Sequence, residues 1–179
     1  LYRSLDGGTR LAPVSSAPVD AAAYGLAFGP GARVIAPNHF GRGVAISDDG
    51  GATWRVATAG IPQGAADLRR IHDVVVGPAG DILLGTGSGL YRSVDGATFT
   101  QVTAGLATAL AITRIVRTPV GLIAGSGNGR LYQSADGARW VDARAIGSGG
   151  GFYSGTAGGG GAAYARARAP VAPGETIVS

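Results

Sequence analysis

The feature that most constrains this chain is an internal repeat of a serine–aspartate–glycine pattern. The pattern occurs four times, with its serines at positions 4, 47, 93 and 134, so the steps are 43, 46 and 41 residues. One further step of that size reaches Ser179, the last residue. A period of about 40–45 residues, built from short apolar runs and glycine turns, is typical of a β-propeller in which each repeat forms one blade.

Each repeat contains four short apolar runs separated by turn residues, which predicts a blade of four antiparallel strands. In the clearest repeat we predict strands at 71–76, 81–86, 90–93 and 98–102. The repeat before it predicts strands at 24–28, 34–37, 44–47 and 54–57, and the repeat after it at 112–117, 122–124, 130–134 and 139–143. In the last repeat, the glycine run 147–161 replaces a clean first strand and indicates either a flexible loop or a strand packed tightly at the channel.

The repeated motif has a physical role in a tight turn. The aspartate carboxylate can accept backbone N–H groups of its own turn, and glycine supplies positive φ without steric cost. The aromatic residue that closes the motif begins the outer strand and can be buried against the neighbouring blade. We therefore predict structural roles for Ser4, Asp6, Gly8, Ser47, Asp49, Gly51, Trp54, Ser93, Asp95, Phe99, Ser134, Asp136 and Trp140.

These four motifs resemble the Asp-box, or BNR, repeat. Residues 47–54 match the full consensus, the motifs at Ser93 and Ser134 are one residue shorter between aspartate and aromatic, and the first motif ends in Leu11. Families with this repeat include sialidases, xyloglucan-cleaving endoglucanases, sortilin-type receptors and photosystem II stability/assembly-factor-like proteins. The resemblance implies an all-β fold, a β-propeller with four-stranded antiparallel blades, and a structural role for the box aspartates.

We expect residues 1–179 to form a single propeller or a propeller segment, with about four blades' worth of chain. Three arrangements satisfy the repeat. The chain is a part of a longer six- to eight-bladed ring, or four blades close alone, or two copies make one larger ring. Open blades would expose a sheet edge and an apolar blade face, so we expect a homo-oligomer or missing blades to complete the ring.

Composition narrows the class of protein further. Glycine supplies 33 of 179 residues, charged residues are 15%, and there is no cysteine, which excludes a disulfide framework. All 15 basic residues are arginine and they are scattered, so no basic stripe predicts nucleic-acid binding. The longest uncharged run is dominated by glycine and does not predict a membrane span. Arginine-only basicity with abundant alanine and glycine indicates a high-GC bacterial genome.

By resemblance, the functional face is the end of the blades opposite the boxes, where loops between second and third strands meet the links between blades. The loop 38–42 is chemically the densest, and it is either a polar hairpin tip or a ligand-contact loop. The glycine-rich segments 85–89 and 125–129 open strands rather than helices, which favours hairpin turns over phosphate loops. The candidate ligand-face residues are Asn38, His39, Phe40, Arg42, Asp67, Arg69, Arg70, His72 and Asn128.

The sequence contains few of the residues that an enzyme of these families requires. The resemblance to sialidases would imply an Arg-Ile-Pro motif and a catalytic glutamate, but the motif is absent and the one glutamate, Glu175, falls on a predicted third strand. A xyloglucan-type glycosidase needs two separated carboxylates. Outside the boxes the candidates are Asp20, Asp67, Asp73, Asp81 and Asp142. We assign no catalytic residue and no cofactor. We also assign no metal site, because the two histidines, His39 and His72, lie far apart in the sequence.

The sequence therefore predicts a non-catalytic, extracytoplasmic or secreted bacterial propeller that acts as a binding or scaffold protein. Its ligand is expected to be a glycan or a protein, with no nucleic acid as a partner. The alternative is a glycoside hydrolase, sialidase-like or endoglucanase-like, whose site is incomplete in this chain.

Overall fold

The computed structural model describes residues 1–19, 25–39, 42–63, 70–107, 110–145, 152–157 and 163–167. Within these ranges every regular element is a β-strand and no helix occurs. The described part of the chain accordingly offers no helix with the length and apolar character to cross a membrane.

The strands are short, as expected for blades built between glycine turns. In chain order the described strands are β1 (Tyr2–Arg3), β2 (Ala12–Pro13), β3 (Ala27–Phe28), β4 (Val34–Pro37), β5 (Val44–Ser47), β6 (Arg55–Ala57), β7 (Ile71–Val76), β8 (Ile82–Thr86), β9 (Gly89–Ser93), β10 (Thr100–Gln101), β11 (Ile112–Thr118), β12 (Gly121–Ser126), β13 (Arg130–Ser134), β14 (Val141–Ala145), β15 (Phe152–Ala157) and β16 (Ala163–Ala167).

Three of the sheets are four-stranded antiparallel meanders, and we call them blade 1 (β3–β6), blade 2 (β7–β10) and blade 3 (β11–β14). Two further antiparallel pairs, β1–β2 and β15–β16, precede and follow them. The first strands of successive blades contact one another, β3 with β7, β7 with β11 and β11 with β15. We call these first strands the inner strands, because their mutual contacts place them along a common axis, as in a propeller.

The hydrophobic core lies at the seams between blades rather than inside any one sheet. One cluster of buried side chains includes Ile35 and Ile46 of blade 1 together with Phe99 of blade 2. A second cluster joins Leu83 of blade 2 to Trp140 of blade 3. Each blade therefore depends on its neighbour to bury its apolar face, as in other repeat architectures.

The serine–aspartate–glycine motifs form hydrogen-bonded turns between third and outer strands, and we call these turns the aspartate corners (residues 4–10, 47–54, 93–99 and 134–140). At the second corner, Ser47 Oγ donates to Asp49 at 2.8 Å and accepts the Gly51 N–H at 2.7 Å. The Asp49 carboxylate accepts the Thr53 N–H at 2.9 Å. The same serine-to-aspartate and glycine-to-serine bonds recur at Ser4, Ser93 and Ser134.

Two of the three aromatic residues of the corners are buried at the seams, and the third, Trp54, is half-buried. Phe99 and Trp140 are each only 2% exposed and belong to the seam clusters. The Trp140 indole N–H also donates to the carbonyl of Gly137 in its own corner, at 3.1 Å. Burial of a large aromatic ring at the interface between two blades stabilises their packing.

A second contact also repeats at the seams, and the sequence analysis does not predict it. The Phe99 N–H donates to the Ala59 carbonyl at 2.9 Å, and the Trp140 N–H donates to the Ala104 carbonyl at 3.0 Å. Both acceptors belong to a Thr-Ala-Gly-Ile/Leu segment that follows an outer strand, at 58–61 and at 103–106. We call these segments the seam latches, because each one binds the next blade through its backbone.

Most of the predicted strands are confirmed, and their bounds differ at the outer edges. The outer strand predicted at 98–102 is observed as Thr100–Gln101, and the inner strand predicted from 24 is observed only at Ala27–Phe28. Within the glycine run 147–161, the described part, Phe152–Ala157, is a strand that pairs with Ala163–Ala167, and the rest of the run lies outside the described residues. Tyr24 and the strand predicted around Glu175 lie outside the described residues.

Candidate functional site

The strands of a blade alternate in direction. The loops between second and third strands therefore lie at the same end of the blades as the starts of the inner strands. Backbone hydrogen bonds join these segments. The Ile71 N–H donates to the His39 carbonyl at 3.2 Å across the seam between blades 1 and 2, and the Gly87 N–H donates to the Arg70 carbonyl at 3.0 Å within blade 2. We call this end the loop face. The aspartate corners lie at the opposite end.

The structure describes six of the nine residues predicted for the ligand face. These are Asn38, His39, Arg42, Arg70, His72 and Asn128. The other three, Phe40, Asp67 and Arg69, lie outside the described residues, as does the carboxylate candidate Asp20.

Asn38 holds its loop in place. It is 3% exposed, its side-chain amide donates to the Pro18 carbonyl at 3.2 Å, and its backbone N–H donates to the Gly43 carbonyl at 3.0 Å. Because the side chain is buried among these bonds, Asn38 shapes the loop and supports the residues that follow it.

Asn128 is exposed, and its hydrogen bonds stay within its own loop. The Ser126 hydroxyl donates to Asn128 Oδ1 at 2.5 Å and accepts the Arg130 N–H at 3.0 Å. The loop joins β12 to β13, and the loop 87–88 joins β8 to β9 in the same way. Both glycine-rich segments are therefore hairpin turns, as predicted.

His39 and His72 come from different blades and meet at the loop face, although they are 33 positions apart in the sequence. Their imidazole centroids are 6.1 Å apart, with an interplanar angle of 63°. His39 Nδ1 lies 3.2 Å from the Ile71 carbonyl, which can only accept a hydrogen bond, so Nδ1 carries the proton. His39 and Ile71 thus exchange two hydrogen bonds and fix the first imidazole beside the second.

The surroundings of His72 disfavour its charged form. Burial of the half-buried side chain lowers its pKa below the usual 6.5, and the nearby His39 and Arg70 lower that pKa further. The ring is therefore neutral near pH 7 in the protein without ligand, while the arginine beside it keeps its positive charge.

Asp73 follows His72 on the same inner strand and faces the next blade. One carboxylate oxygen accepts the Ile115 N–H at 2.7 Å, and the other lies 3.5 Å from Arg114 Nη1. Burial raises the pKa of Asp73, an effect opposed by the Ile115 hydrogen bond and by Arg114. Asp73 therefore connects blade 2 to blade 3.

The inner strands share an irregularity that orients these residues. The strand register shifts between Ile71 and Asp73 in blade 2 and between Ile112 and Arg114 in blade 3. A bulge of this kind re-aims a side chain at the end of a strand. Asp73 and Arg114 stand at equivalent positions 41 residues apart, and this offset, read along the repeat, could have indicated their pairing.

The described residues do not bring together the two free carboxylates that a glycosidase requires. Asp73 is the one described carboxylate on an inner strand, and it is bound to Ile115 and Arg114. Asp81 pairs with Arg92, and Asp142 pairs with Arg130. No group of three or more histidine, aspartate, glutamate or cysteine side chains suited to a metal ion occurs among the described residues.

Comparison with known proteins supports the architecture alone. No family model and no curated protein matches the sequence. Among solved structures, the extracellular domain of BT4673 from B. thetaiotaomicron matches with a TM-score of 0.65 at 14% identity, over 81% of this chain and 20% of that one.

Two further solved structures are similar. YCF48 bound to D1 peptide matches with a TM-score of 0.59 at 18% identity, over 86% of this chain and 50% of that one. An ancestral GH74 enzyme matches with a TM-score of 0.58 at 20% identity, over 80% and 21%. The chain thus spans half or less of the length of these proteins. At such identities the likeness shows the fold, and this chain has the β-propeller fold.

Proposed function

We propose that this chain is a non-catalytic propeller whose loop face binds an acidic segment of a partner protein. The observation that carries the proposal is the positive charge of Arg70 at the seam between blades 1 and 2, beside the paired imidazoles of His39 and the half-buried His72. The exposed Arg42 follows His39 in the same loop sequence and adds a further positive charge.

The positive charges of Arg42 and Arg70 at the loop face favour an anionic ligand. Asp73, the carboxylate described on the inner strands, is already bound to the Ile115 N–H and faces Arg114. A surface that carries positive charge attracts ligands of the opposite sign and orients them.

A protein ligand has more support than a glycan. YCF48, one of the structurally similar propellers, has been solved bound to a peptide. Sugar-binding surfaces rely on exposed aromatic rings, whereas the exposed aromatic residues in the described part are Tyr2 and Phe28. Neither lies in a loop between second and third strands or at the start of an inner strand at the loop face.

The finer parts of the proposal follow from resemblance. The Asp-box assignment is supported by the hydrogen bonds of the four aspartate corners, which hold the motif serine, aspartate and glycine together. An extracytoplasmic location is supported by the similarity to an extracellular domain. Cell fractionation of the source organism, probed with an antibody against the chain, would test that location.

A fluorescein-labelled hexa-aspartate peptide tests the proposed ligand class. We expect it to bind at low ionic strength and to be displaced by salt, because screening weakens attraction between exposed charges. A hexa-asparagine peptide of the same length should not bind. Arg70→Gln should weaken binding about tenfold, in the range expected for loss of one charge-assisted contact.

A matched control separates local from general charge. Arg139 is exposed and belongs to an aspartate corner at the opposite end of blade 3, so Arg139→Gln removes the same charge from the chain. We expect it to leave hexa-aspartate binding unchanged. Equal loss in both variants would indicate nonspecific attraction to a basic protein, and absence of binding to the wild type would contradict the proposed function. Hydrolysis of xyloglucan or sialosides would instead favour the glycoside hydrolase alternative.

A further inference from the structure

We infer that Asn128 is a site of spontaneous deamidation, and that the aspartate formed there converts the hairpin loop 126–130 into an additional aspartate corner at the loop face. The loop joins β12 to β13 in blade 3. The inference is independent of the proposed ligand, because it concerns a covalent change within the chain itself.

The loop 126–130 has the bonding pattern of a corner, with asparagine where a corner has aspartate. Its sequence is Ser-Gly-Asn-Gly-Arg, and the corner that begins at position 134 reads Ser-Ala-Asp-Gly-Ala. Ser126 Oγ donates to Asn128 Oδ1 at 2.5 Å and accepts the Arg130 N–H at 3.0 Å. At the second corner the corresponding bonds of the serine are 2.8 Å to the aspartate and 2.7 Å from the N–H four residues later. The loop therefore differs from that corner mainly in the amide that replaces the carboxylate.

Deamidation of an asparagine begins with attack by the nitrogen of the next residue. The Gly129 nitrogen gives its proton to a base from solvent and bonds to Asn128 Cγ, while the side-chain NH2 takes up a proton and leaves as ammonia. Water then opens the resulting five-membered imide and leaves a carboxylate at position 128. Gly129 suits this reaction because it has no side chain to obstruct closure of the ring.

Two hydrogen-bond donors lie where the reaction develops charge. As the Gly129 nitrogen bonds to Cγ, negative charge collects on Asn128 Oδ1. That oxygen already accepts the Ser126 hydroxyl at 2.5 Å and lies 3.4 Å from the Arg130 nitrogen. Donors placed in advance at an oxygen that becomes negative stabilise the transition state. Because Asn128 is exposed, water and base reach it from solvent.

One backbone contact slows the reaction in the folded protein. The Gly129 N–H donates to the Ser126 carbonyl at 3.1 Å, so this bond opens before the nitrogen attacks. Loops open locally at a smaller cost in free energy than the strands that they connect. The modified form is therefore expected to accumulate slowly as the protein ages.

The aspartate product suits the loop. An ionised carboxylate accepts the Ser126 hydroxyl and the Arg130 N–H more strongly than an amide does. Opening of the imide also yields isoaspartate, which lengthens the backbone by one carbon and displaces the bonds centred on Ser126. Because the folded loop holds Oδ1 in the corner geometry, it should yield a larger share of aspartate than the unfolded chain does.

Peptide mapping tests the site in the wild-type protein. The folded protein is kept at pH 8 for several weeks and digested with trypsin, beside a sample digested without incubation. Mass spectrometry should show conversion of an amide to an acid in peptide 118–130 and none in peptide 34–42, which contains Asn38, the other asparagine of the sequence. Asn38 is 3% exposed and precedes His39, whose side chain obstructs ring closure.

Ser126→Ala tests the part played by the hydroxyl. We expect deamidation of the folded variant to be about tenfold slower than that of the wild type, in the range for loss of one hydrogen bond in the transition state. In concentrated urea the two chains should react at equal rates. Thr86→Ala, which removes the equivalent buried hydroxyl from the blade 2 hairpin, should leave the rate at Asn128 unchanged. Equal rates for folded wild type and Ser126→Ala would overturn the role of the donors.

Asn128→Asp reproduces the product directly. Its midpoint of urea unfolding should lie above that of the wild type, and deamidated wild type, separated by ion exchange because it carries one more negative charge, should show the same increase. A midpoint below that of the wild type would overturn the corner. Absence of the mass change in the folded protein, under conditions in which the unfolded chain reacts, would overturn the site.

Discussion

The pKa values of the aspartates are shifted in opposite directions at the two ends of the blades. At the corner end, Asp95 accepts the N–H groups of Thr98 and Ala97, and these bonds lower its pKa to about 2. At the loop face, burial raises the pKa of Asp73 even though it accepts the Ile115 N–H. The corner carboxylates are exposed and held as anions by their own turn, whereas Asp73 is buried to join two blades.

The corner end is the same in every blade, whereas the loop face differs between blades. The aspartate corners use the same serine, aspartate and glycine bonds in every copy, so their role is to close the sheets. The loop face differs from blade to blade, since a histidine stands in the loop of blade 1 where blade 2 has Ser88 and blade 3 has Asn128. Changes at the corner end should therefore reduce stability, and changes at the loop face should alter binding.

The largest loss of stability is expected when a seam aromatic is removed. Trp140→Ala deletes a side chain that is 2% exposed and belongs to the cluster between blades 2 and 3. We expect a loss of about 3–5 kcal/mol in the free energy of unfolding. Chemical denaturation measures it, with Val141→Ala as the control, since Val141 is adjacent and 57% exposed. A loss below about 1 kcal/mol would contradict the account of the seam.

Gly105 of the second seam latch should be nearly as sensitive. It has a φ of +81°, and a Cβ at this position would collide with the Trp140 carbonyl. Left-handed strain and the collision together should lower stability by about 3 kcal/mol in Gly105→Ala.

Gly31→Ala is the matched control for Gly105→Ala. Gly31 has a φ of +68° with no atom within 4 Å of an added Cβ, so it carries the strain alone. We expect a loss of about 1–2 kcal/mol in thermal or chemical unfolding. Equal losses at the two glycines would show that the latch adds nothing.

The serine of an aspartate corner should have an intermediate effect. Ser47 is buried and accepts the Gly51 N–H, so Ser47→Ala leaves that N–H without its acceptor. We expect destabilisation by about 2 kcal/mol. Ser16→Ala, at an exposed position, should change stability by less than about 0.5 kcal/mol in the same assay.

The smallest expected effect is a pH dependence that has opposite signs at the two ends. The pKa of Asp95 is lowered in the folded state, so its contribution to stability is present above its unfolded pKa of 3.8 and is lost as pH falls towards 2. The pKa of Asp73 is raised, so the folded state gains stability from this group as pH falls through its folded pKa.

Urea denaturation between pH 6 and pH 2 measures both contributions. Asp95→Asn should flatten the loss of stability at acid pH, and Asp73→Asn should steepen it. The asparagine in each case retains an oxygen that accepts a hydrogen bond, which limits other effects of the substitution. Identical pH profiles for the two variants would contradict the opposition between the two ends.

The sequence was sufficient to predict the elements that repeat. Glycine turns and alternating apolar runs predicted the strands of blades 1 to 3, and the motif spacing predicted the aspartate corners and the burial of Phe99 and Trp140. These features arise from local chemistry, because the turn residues and their partners lie within a few positions of one another.

The features that depend on the contact between blades could not be read in the same way. His39 and His72 meet because one lies in a loop of blade 1 and the other on the inner strand of blade 2, and only the packing of the two blades sets their 6.1 Å separation. Asp73 and Arg114 stand one repeat apart in the sequence, but their contact also depends on a bulge in each strand, which the repeat does not predict. The seam latches repeat in the sequence, yet their backbone partners belong to the next blade, so their role was not apparent.

The most direct test of the account is to map hexa-aspartate binding on the amide resonances of the isotopically labelled protein at pH 6. We expect chemical-shift changes concentrated at the start of β7 and in the loop that precedes β5, around His39, Ile71 and His72, with the corner residues Asp49, Asp95 and Asp136 unchanged. Changes centred on the aspartate corners, or spread evenly over the arginines of both ends, would contradict it.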